Sequence, residues 1–449
     1  MIFDLALRGN AILTPEGLKK AVILIKDGLI IDVVPSLAAG ANDSIIDFGD
    51  AIVMPGVIDP HVHINEPGRT EWEGFETATK AAVSGGITTL VDMPLNASPV
   101  TTSASAFEKK IVATNHKLFT NCGFWGGVVP GNENDIEPLI DKGVLGFKAF
   151  LTHSGIDDFP NVTESDLRKV MPIIAKHNLP LLVHCELTNA PVKNSQPANN
   201  RSYQQYLASR PKAWEDKAIA LMIKLCEEYH CPVHIVHLSS SQSIDQIRKA
   251  KEKGLPLTVE TAQHYLYFYA EAIEDGQTAF KCAPPIREKA NNDLLWQALQ
   301  EGIIDFVATD HSPARPDLKQ LESGDFTTAW GGVASIQFAL PILWTASRKR
   351  TIGVEKMATW LSEKPALLIG AKNKKGKIAK GFDADLCVWN PNASVTVDQS
   401  MIHHRHKVTP YLNETLYGVV EQTYLAGKKI FDLGKFSSPQ GKRFMHRSR

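Results

Sequence analysis

The chain has almost no net charge: 48 lysines and arginines stand against 49 aspartates and glutamates over 449 residues. Such a balance gives no global field to draw nucleic acid or an anionic bilayer, and Arg348-Lys349-Arg350 is too short a run to make a binding stripe. No apolar run is long enough to span a membrane. The first ten residues, Met1 to Asn10, place Asp4 inside their apolar stretch and lack a basic leader, so they do not read as a signal peptide. Cysteine is scarce. Cys122, Cys185, Cys226, Cys231, Cys282 and Cys387 contain no Cys-x-x-Cys pair and are expected to be reduced core thiols, with no disulfide between Cys226 and Cys231. No Gly-x-Gly-x-x-Gly follows an early strand, which argues against a dinucleotide-binding doubly wound sheet. These absences predict a soluble, cytoplasmic protein whose partners include neither nucleic acid nor membrane.

What is present is an alternation. Apolar β-rich runs at 57–64, 87–93, 119–128, 145–151, 180–185, 232–238, 257–266 and 304–310 are separated by helix-like stretches, one of them opened by the cap signal Thr163-Glu164-Ser165-Asp166. Eight such units predict an α/β chain with a (β/α)8 barrel over 55–375; a doubly wound open sheet is the alternative. Residues 1–54 and 376–449 read instead as short strands and turns, among them the hairpin signal Lys26-Asp27-Gly28. Both termini are therefore expected to build one small β-sandwich domain. The tail Gly441 to Arg449, rich in basic residues, reads as frayed and solvated.

In such a barrel the chemistry gathers at the C-terminal ends of the strands. The first run ends in His61 and His63, which alternation places on one face. The fourth holds Lys148 inside an apolar stretch, the fifth ends in His184, and the eighth in Asp310. His234 and His237 in the sixth differ in parity, and the later one is taken. A lone histidine is more often a hydrogen-bonded core residue, but possible ligands at four strand ends of one barrel favour a metal site. Four imidazoles and one carboxylate exceed the needs of one tetrahedral ion. A pair of ions would use them if an anion bridged the two. No spare glutamate is evident for that bridge. Lys148 could supply it as a carbamate formed with CO2, or could instead snorkel to solvent. His403-His404-Arg405-His406 lies past the barrel and reads as an exposed loop.

Longer motifs carry a family resemblance. Asn65-Glu66-Pro67-Gly68-Arg69-Thr70-Glu71-Trp72-Glu73-Gly74-Phe75, Leu90-Val91-Asp92-Met93-Pro94-Leu95-Asn96, Lys281-Cys282-Ala283-Pro284-Pro285-Ile286-Arg287 and Gly381-Phe382-Asp383-Ala384-Asp385-Leu386 resemble the amidohydrolase superfamily, within its cyclic-amidase branch of dihydroorotases, dihydropyrimidinases and allantoinases. With Ala329-Trp330-Gly331-Gly332, they are most similar to the allantoinases. The resemblance implies metal-dependent opening of the ring amide of allantoin to allantoate; a hydantoinase or dihydropyrimidinase is the alternative, and a ligand-stripped scaffold a more distant one. It implies His61, His63 and Asp310 on one ion, His184 and His237 on the other, and N6-carboxylated Lys148 bridging both. The metals would be zinc, or cobalt or manganese. Asp310 is the implied general base, and Asn65, His153, Ala283 and Gly332 the implied substrate contacts. Asn65 stands where dihydroorotases carry the arginine that holds a substrate carboxylate, which argues against that substrate. Relatives of this kind imply a homo-oligomer, dimer or tetramer.

Overall fold

Strands near both ends of the chain carry exposed polar positions, whereas those in its middle are almost wholly buried, and the backbone divides the same way. The computed structural model describes residues 3–37, 45–188 and 199–446. The chain begins with Leu5–Thr14 (β1), Gly17–Lys26 (β2), Leu29–Val34 (β3), Ile45–Asp47 (β4) and Ile52–Pro55 (β5). Then come Val57–Val62 (β6), Ile87–Asp92 (β7), Asn121–Phe124 (β8), Gly126–Gly127 (β9), Phe147–Phe150 (β10), Leu181–His184 (β11), Val233–Ile235 (β12), Leu257–Ala262 (β13) and Phe306–Ala308 (β14). Leu386–Thr396 (β15), Thr415–Leu425 (β16), Lys428–Asp432 (β17) and Lys435–Phe436 (β18) complete it.

Strands β6 to β14 pair in parallel, with β8 and β9 acting as one interrupted strand. One seam is bridged by the Leu145 N–H, which donates to the Phe124 carbonyl at 2.9 Å. The other closes where Val62 bridges His311 and the His63 N–H donates to the His311 carbonyl at 2.8 Å. The result is an eight-stranded (β/α)8 barrel. Helices such as Phe75–Ser84, Glu164–Lys176 and Lys289–Gln300 follow its strands. Thr163 and Asp166 form the capping box that the sequence announces for the second of these. Both faces of the barrel strands are buried, one by helices and one by the interior, which is why they read as apolar runs.

The two ends of the chain share a nine-stranded sheet in the order β18-β17-β16-β15-β5-β1-β2-β3, with β4 on β1. Its central join is β5, parallel to β1 on one side and antiparallel to β15 on the other. Leu7, Ile23 and Ile25 from the first half pack in one cluster with Leu386, Val388 and Tyr424 from the second. The six cysteines are free and buried. Among the described residues, no helix is long and apolar enough to cross a membrane.

Three local expectations are corrected. The run 257–266 is a strand only to Ala262, and Gln263–Tyr267 turns into a short helix. The segment from Gly441 to His446 is not frayed: it lies along β8, where the Cys122 N–H donates to the Lys442 carbonyl and the Phe444 N–H to the Cys122 carbonyl, at 2.9 and 2.8 Å. Backbone pairing ignores composition, so a basic tail can hide it; residues 447–449 lie outside the described residues. His404 is fully buried beside His311 rather than in an exposed loop.

A buried ion pair ties the barrel rim together. Asp92 Oδ1 accepts the Ile64 N–H at 2.9 Å, its carbonyl accepts the Trp125 N–H at 3.0 Å, and its carboxylate pairs with Lys110. Both side chains are shielded from water, so removing one partner strands the other. Lys110→Met should lower unfolding stability by about 3–5 kcal/mol, read as a fall in urea midpoint at unchanged slope.

Candidate metal centre

His61 and His63 leave the end of β6 on one side of the chain, and Asp310 follows β14 two residues after its last strand position. His61 Nε2 lies 3.2 Å and His63 Nε2 3.5 Å from Asp310 Oδ1. The potential ligand atoms of the three residues all lie within 4.8 Å of one another, and all three residues are buried. Two nitrogens and an oxygen converging at this distance form a site for a divalent metal ion.

A second group adjoins the first. His184 ends β11, and its Nδ1 lies 3.0 Å from His237 Nε2. The His237 ring centroid is 5.3 Å from that of His61. Two imidazole nitrogens this close share at most one proton between them. Strand parity does not decide between His234 and His237, because β12 stops at Ile235 and His237 takes a left-handed backbone with φ of 37°. Asp310, Asn65 and Asn96 also have positive φ, at 46°, 67° and 67°. Such backbones concentrate where side chains must be re-aimed beyond a strand end. Lys148, on β10, is fully buried, and among the described residues its Nζ has no hydrogen-bond partner; it lies 4.9 Å from the centroid of Phe150, whose ring stacks on His184.

Burial tunes these groups toward ligation. It lowers His63 to about 4 and also lowers His184 and His237, so these imidazoles are neutral near pH 7 and have lone pairs to offer. Burial also lowers the Lys148 ammonium to about 8, against the opposing pull of Glu260 and Asp310. Burial alone would raise Asp310, but the neighbouring His61, His63 and His237 hold it well below the usual carboxylate range.

Behind these side chains stand carboxylates that the sequence alone does not single out. Glu260, on β13, contacts His61 Nδ1 through one oxygen, and through the other lies 3.1 Å from His234 Nε2. Its first oxygen also accepts the His237 N–H at 3.3 Å. His234 is thus a support beneath the site, with Thr258 Oγ1 2.8 Å from its Nδ1. Glu186 lies 2.8 Å from His184 Nε2 and pairs with Arg210. These partners fix ring orientation and raise ligand basicity. The available signal was a charged residue inside each buried run: Glu260 within Leu257–Ala262, and Glu186 two residues past His184.

A cavity of about 860 Å³ opens over the group, lined by His61, His63, His184, His237 and Asp310. His153, Ala283 and Gly332 also line it, as do Asn96 and Arg210. Asn65 does not: it is buried, and its amide donates to the Pro313 carbonyl at 3.2 Å. His153 is exposed at the rim, with Nε2 3.3 Å from Asp157 Oδ1.

Comparison with known proteins adds an independent line. The model of the amidohydrolase family matches residues 52–430. The chain is 46% identical over 442 residues to the allantoinase of Streptomyces avermitilis, covering 98% of each, and 43% identical over 445 residues to the allantoinase of Arabidopsis thaliana, covering 95% of this chain and 88% of that one. Among solved structures, the L-hydantoinase (dihydropyrimidinase) of Arthrobacter aurescens superposes with a TM-score of 0.94 at 29% identity over 99% of this chain and 100% of that one. The dihydropyrimidinase of Brevibacillus agri gives 0.89 at 26% identity over the same shares.

Glu260→Leu removes the acceptor behind His61. It should weaken metal binding about 10–100-fold, measured as retained metal against buffered free metal.

Proposed function

Because the chain belongs to the amidohydrolase family, and its candidate metal centre lies at the floor of a cavity that readily admits a small ring, we propose that it hydrolyses the ring amide of allantoin to allantoate. The observation that carries the substrate is the 46% identity to an allantoinase over nearly the full length of both chains. Residues 55–375 form the catalytic barrel in this reading, and 1–54 with 376–449 the accessory β domain. Asn65 adds support: with an amide there, bound to Pro313, that position offers no cation for a substrate carboxylate.

His61, His63 and Asp310 would hold one ion, His184 and His237 a second, and a carbamate on Lys148 would bridge them. The donor set fits. Lys148 Nζ is buried without a partner, and its pKa of about 8 leaves roughly a tenth of it neutral at pH 7 and able to add to CO2 with loss of a proton. His184 and His237 turn ring nitrogens toward each other. Bound there, zinc, or cobalt or manganese, would polarise the carbonyl and make a water nucleophilic near neutral pH. Asp310 takes the proton of the attacking water and delivers it to the ring nitrogen as the C–N bond breaks, leaving a carboxylate and a free ureide N–H. His61 and His234 keep Glu260 from this role by occupying its oxygens. Ala283 and Gly332 would read the ring through backbone groups, and His153 at the rim would assist the developing oxyanion. Six free thiols support a reducing compartment such as the cytoplasm, and family resemblance supports a dimer or tetramer.

Assayed side by side with metal stoichiometry on one sample, allantoin should be turned over well ahead of dihydrouracil and 5-substituted hydantoins. A reversed order would replace the reading with that of a hydantoinase or dihydropyrimidinase. Asp310→Asn should cut kcat by about 10²–10⁴-fold; turnover near wild type with the metal retained would remove it as the proton carrier. Lys148→Ala should abolish activity, with partial rescue by short carboxylic acids plus metal. Full activity without rescue would count against the carbamate.

A further inference from the structure

Lys319 closes the short turn Pro316–Lys319 and is only 3% exposed. Its Nζ donates to the Gly332 carbonyl at 2.8 Å, the Trp330 carbonyl at 3.0 Å and the Lys281 carbonyl at 3.3 Å. An ammonium has three protons, so these three carbonyls satisfy it completely. Among the described residues it makes no ion pair with a carboxylate. Burial, with the nearby Lys281, pulls its pKa down to about 7, and the three carbonyl oxygens, acceptors that only a protonated amine can fully serve, act in the opposite direction and hold the proton in place of water.

The acceptors lie on two segments far apart in sequence, Lys281–Ala283 and Trp330–Gly332, both on the cavity wall. The segments also touch directly, the Gly332 N–H donating to the Lys281 carbonyl at 2.8 Å. The turn carrying Lys319 is bound to the second segment as well, through the Trp330 N–H and the Leu318 carbonyl at 2.7 Å. Gly332 has no room for a side chain, since a Cβ there would meet the Ser312 carbonyl oxygen at 2.3 Å. Two pieces of backbone therefore meet at one nitrogen, and the turn that carries it is fastened to one of them.

We propose that Lys319 is a positioning residue, an internal cation that fixes the spacing of the two backbone segments gripping the substrate ring and thereby sets which ring size fits. The inference rests on the cyclic-amidase reading above. It is separable from that reading because the clamp has a signature of its own in the backbone. Lys148 gives the contrast: an equally buried amine that finds no acceptor among the described residues is available for chemistry, whereas one with three acceptors is spent on geometry.

Lys319→Gln and Lys319→Met are compared with wild type on allantoin, a five-membered ring, and dihydrouracil, a six-membered one. Metal content and backbone amide exchange are measured in parallel. The expected result is a KM for allantoin raised at least tenfold with kcat within threefold, a shift of at least fivefold in the ratio of kcat/KM between the rings, unchanged metal content, and faster exchange at 281–283 and 330–332. A purely structural role would reduce the folded fraction but leave the KM and the ring ratio of the remaining enzyme unmoved. Folded variants with wild-type KM, ring ratio and exchange would overturn the proposal. If neither variant folds, exchange in the wild type decides. Protection at both segments comparable to the barrel strands supports the clamp, and rapid exchange there overturns it. Wild-type inactivity on both rings would sink the functional reading and leave the clamp to be judged by exchange alone.

Discussion

The side chains that converge at this barrel mouth, His61, His63, Lys148, His184, His237 and Asp310, have all been taken out of bulk water, and the rest of the site follows from that desolvation. Imidazoles deprived of solvent shed their protons, which is the state a cation needs. The same deprivation makes each unsatisfied polar atom costly, by about 1–3 kcal/mol, against a net stability of only about 5–15 kcal/mol for a typical domain. A barrel with a continuous apolar shell can sustain such a cluster, and an ion that binds only the folded state offsets part of the cost.

The chain answers desolvation differently from place to place. Behind the histidines it supplies carboxylates: Glu260 serves both His61 and His234, and Glu186 links His184 to Arg210. At the rim it sets Lys110 against Asp92, and under the cavity wall it surrounds Lys319 with carbonyls. At Lys148 it supplies, among the described residues, no hydrogen-bond acceptor, only the face of the Phe150 ring and the more distant charges of Glu260 and Asp310. Among the described buried lysines, Lys148 alone lacks an acceptor for its Nζ.

Much of this was legible beforehand. The eight apolar runs became the barrel strands, because parallel strands buried on both faces admit few polar residues and so stand out. His61 and His63 were readable from alternation, since both belong to the end of a regular strand. His237 and Asp310 were harder: they lie past the last strand residue with left-handed backbones, where alternation has no meaning. Their assignment rested on accumulation across strand ends and on resemblance. Glu260 was overlooked because a carboxylate in an apolar run looks like an interruption until its partners, distant in sequence, are seen. The ordered segment from Gly441 to His446 was missed for another reason, since its contacts are made by the backbone.

The placement of β5 bears on how the protein is made. This strand sits at the middle of the nine-stranded sheet, yet its neighbour β15 begins only at Leu386. At about 5–20 residues per second of synthesis, the roughly 330 intervening residues leave one edge of β5 open for on the order of half a minute. An unpaired apolar edge of that kind is a template for pairing with another chain. Newly made copies on neighbouring ribosomes are therefore at their stickiest while the barrel is still emerging, and crowded expression favours aggregation at that stage rather than after folding.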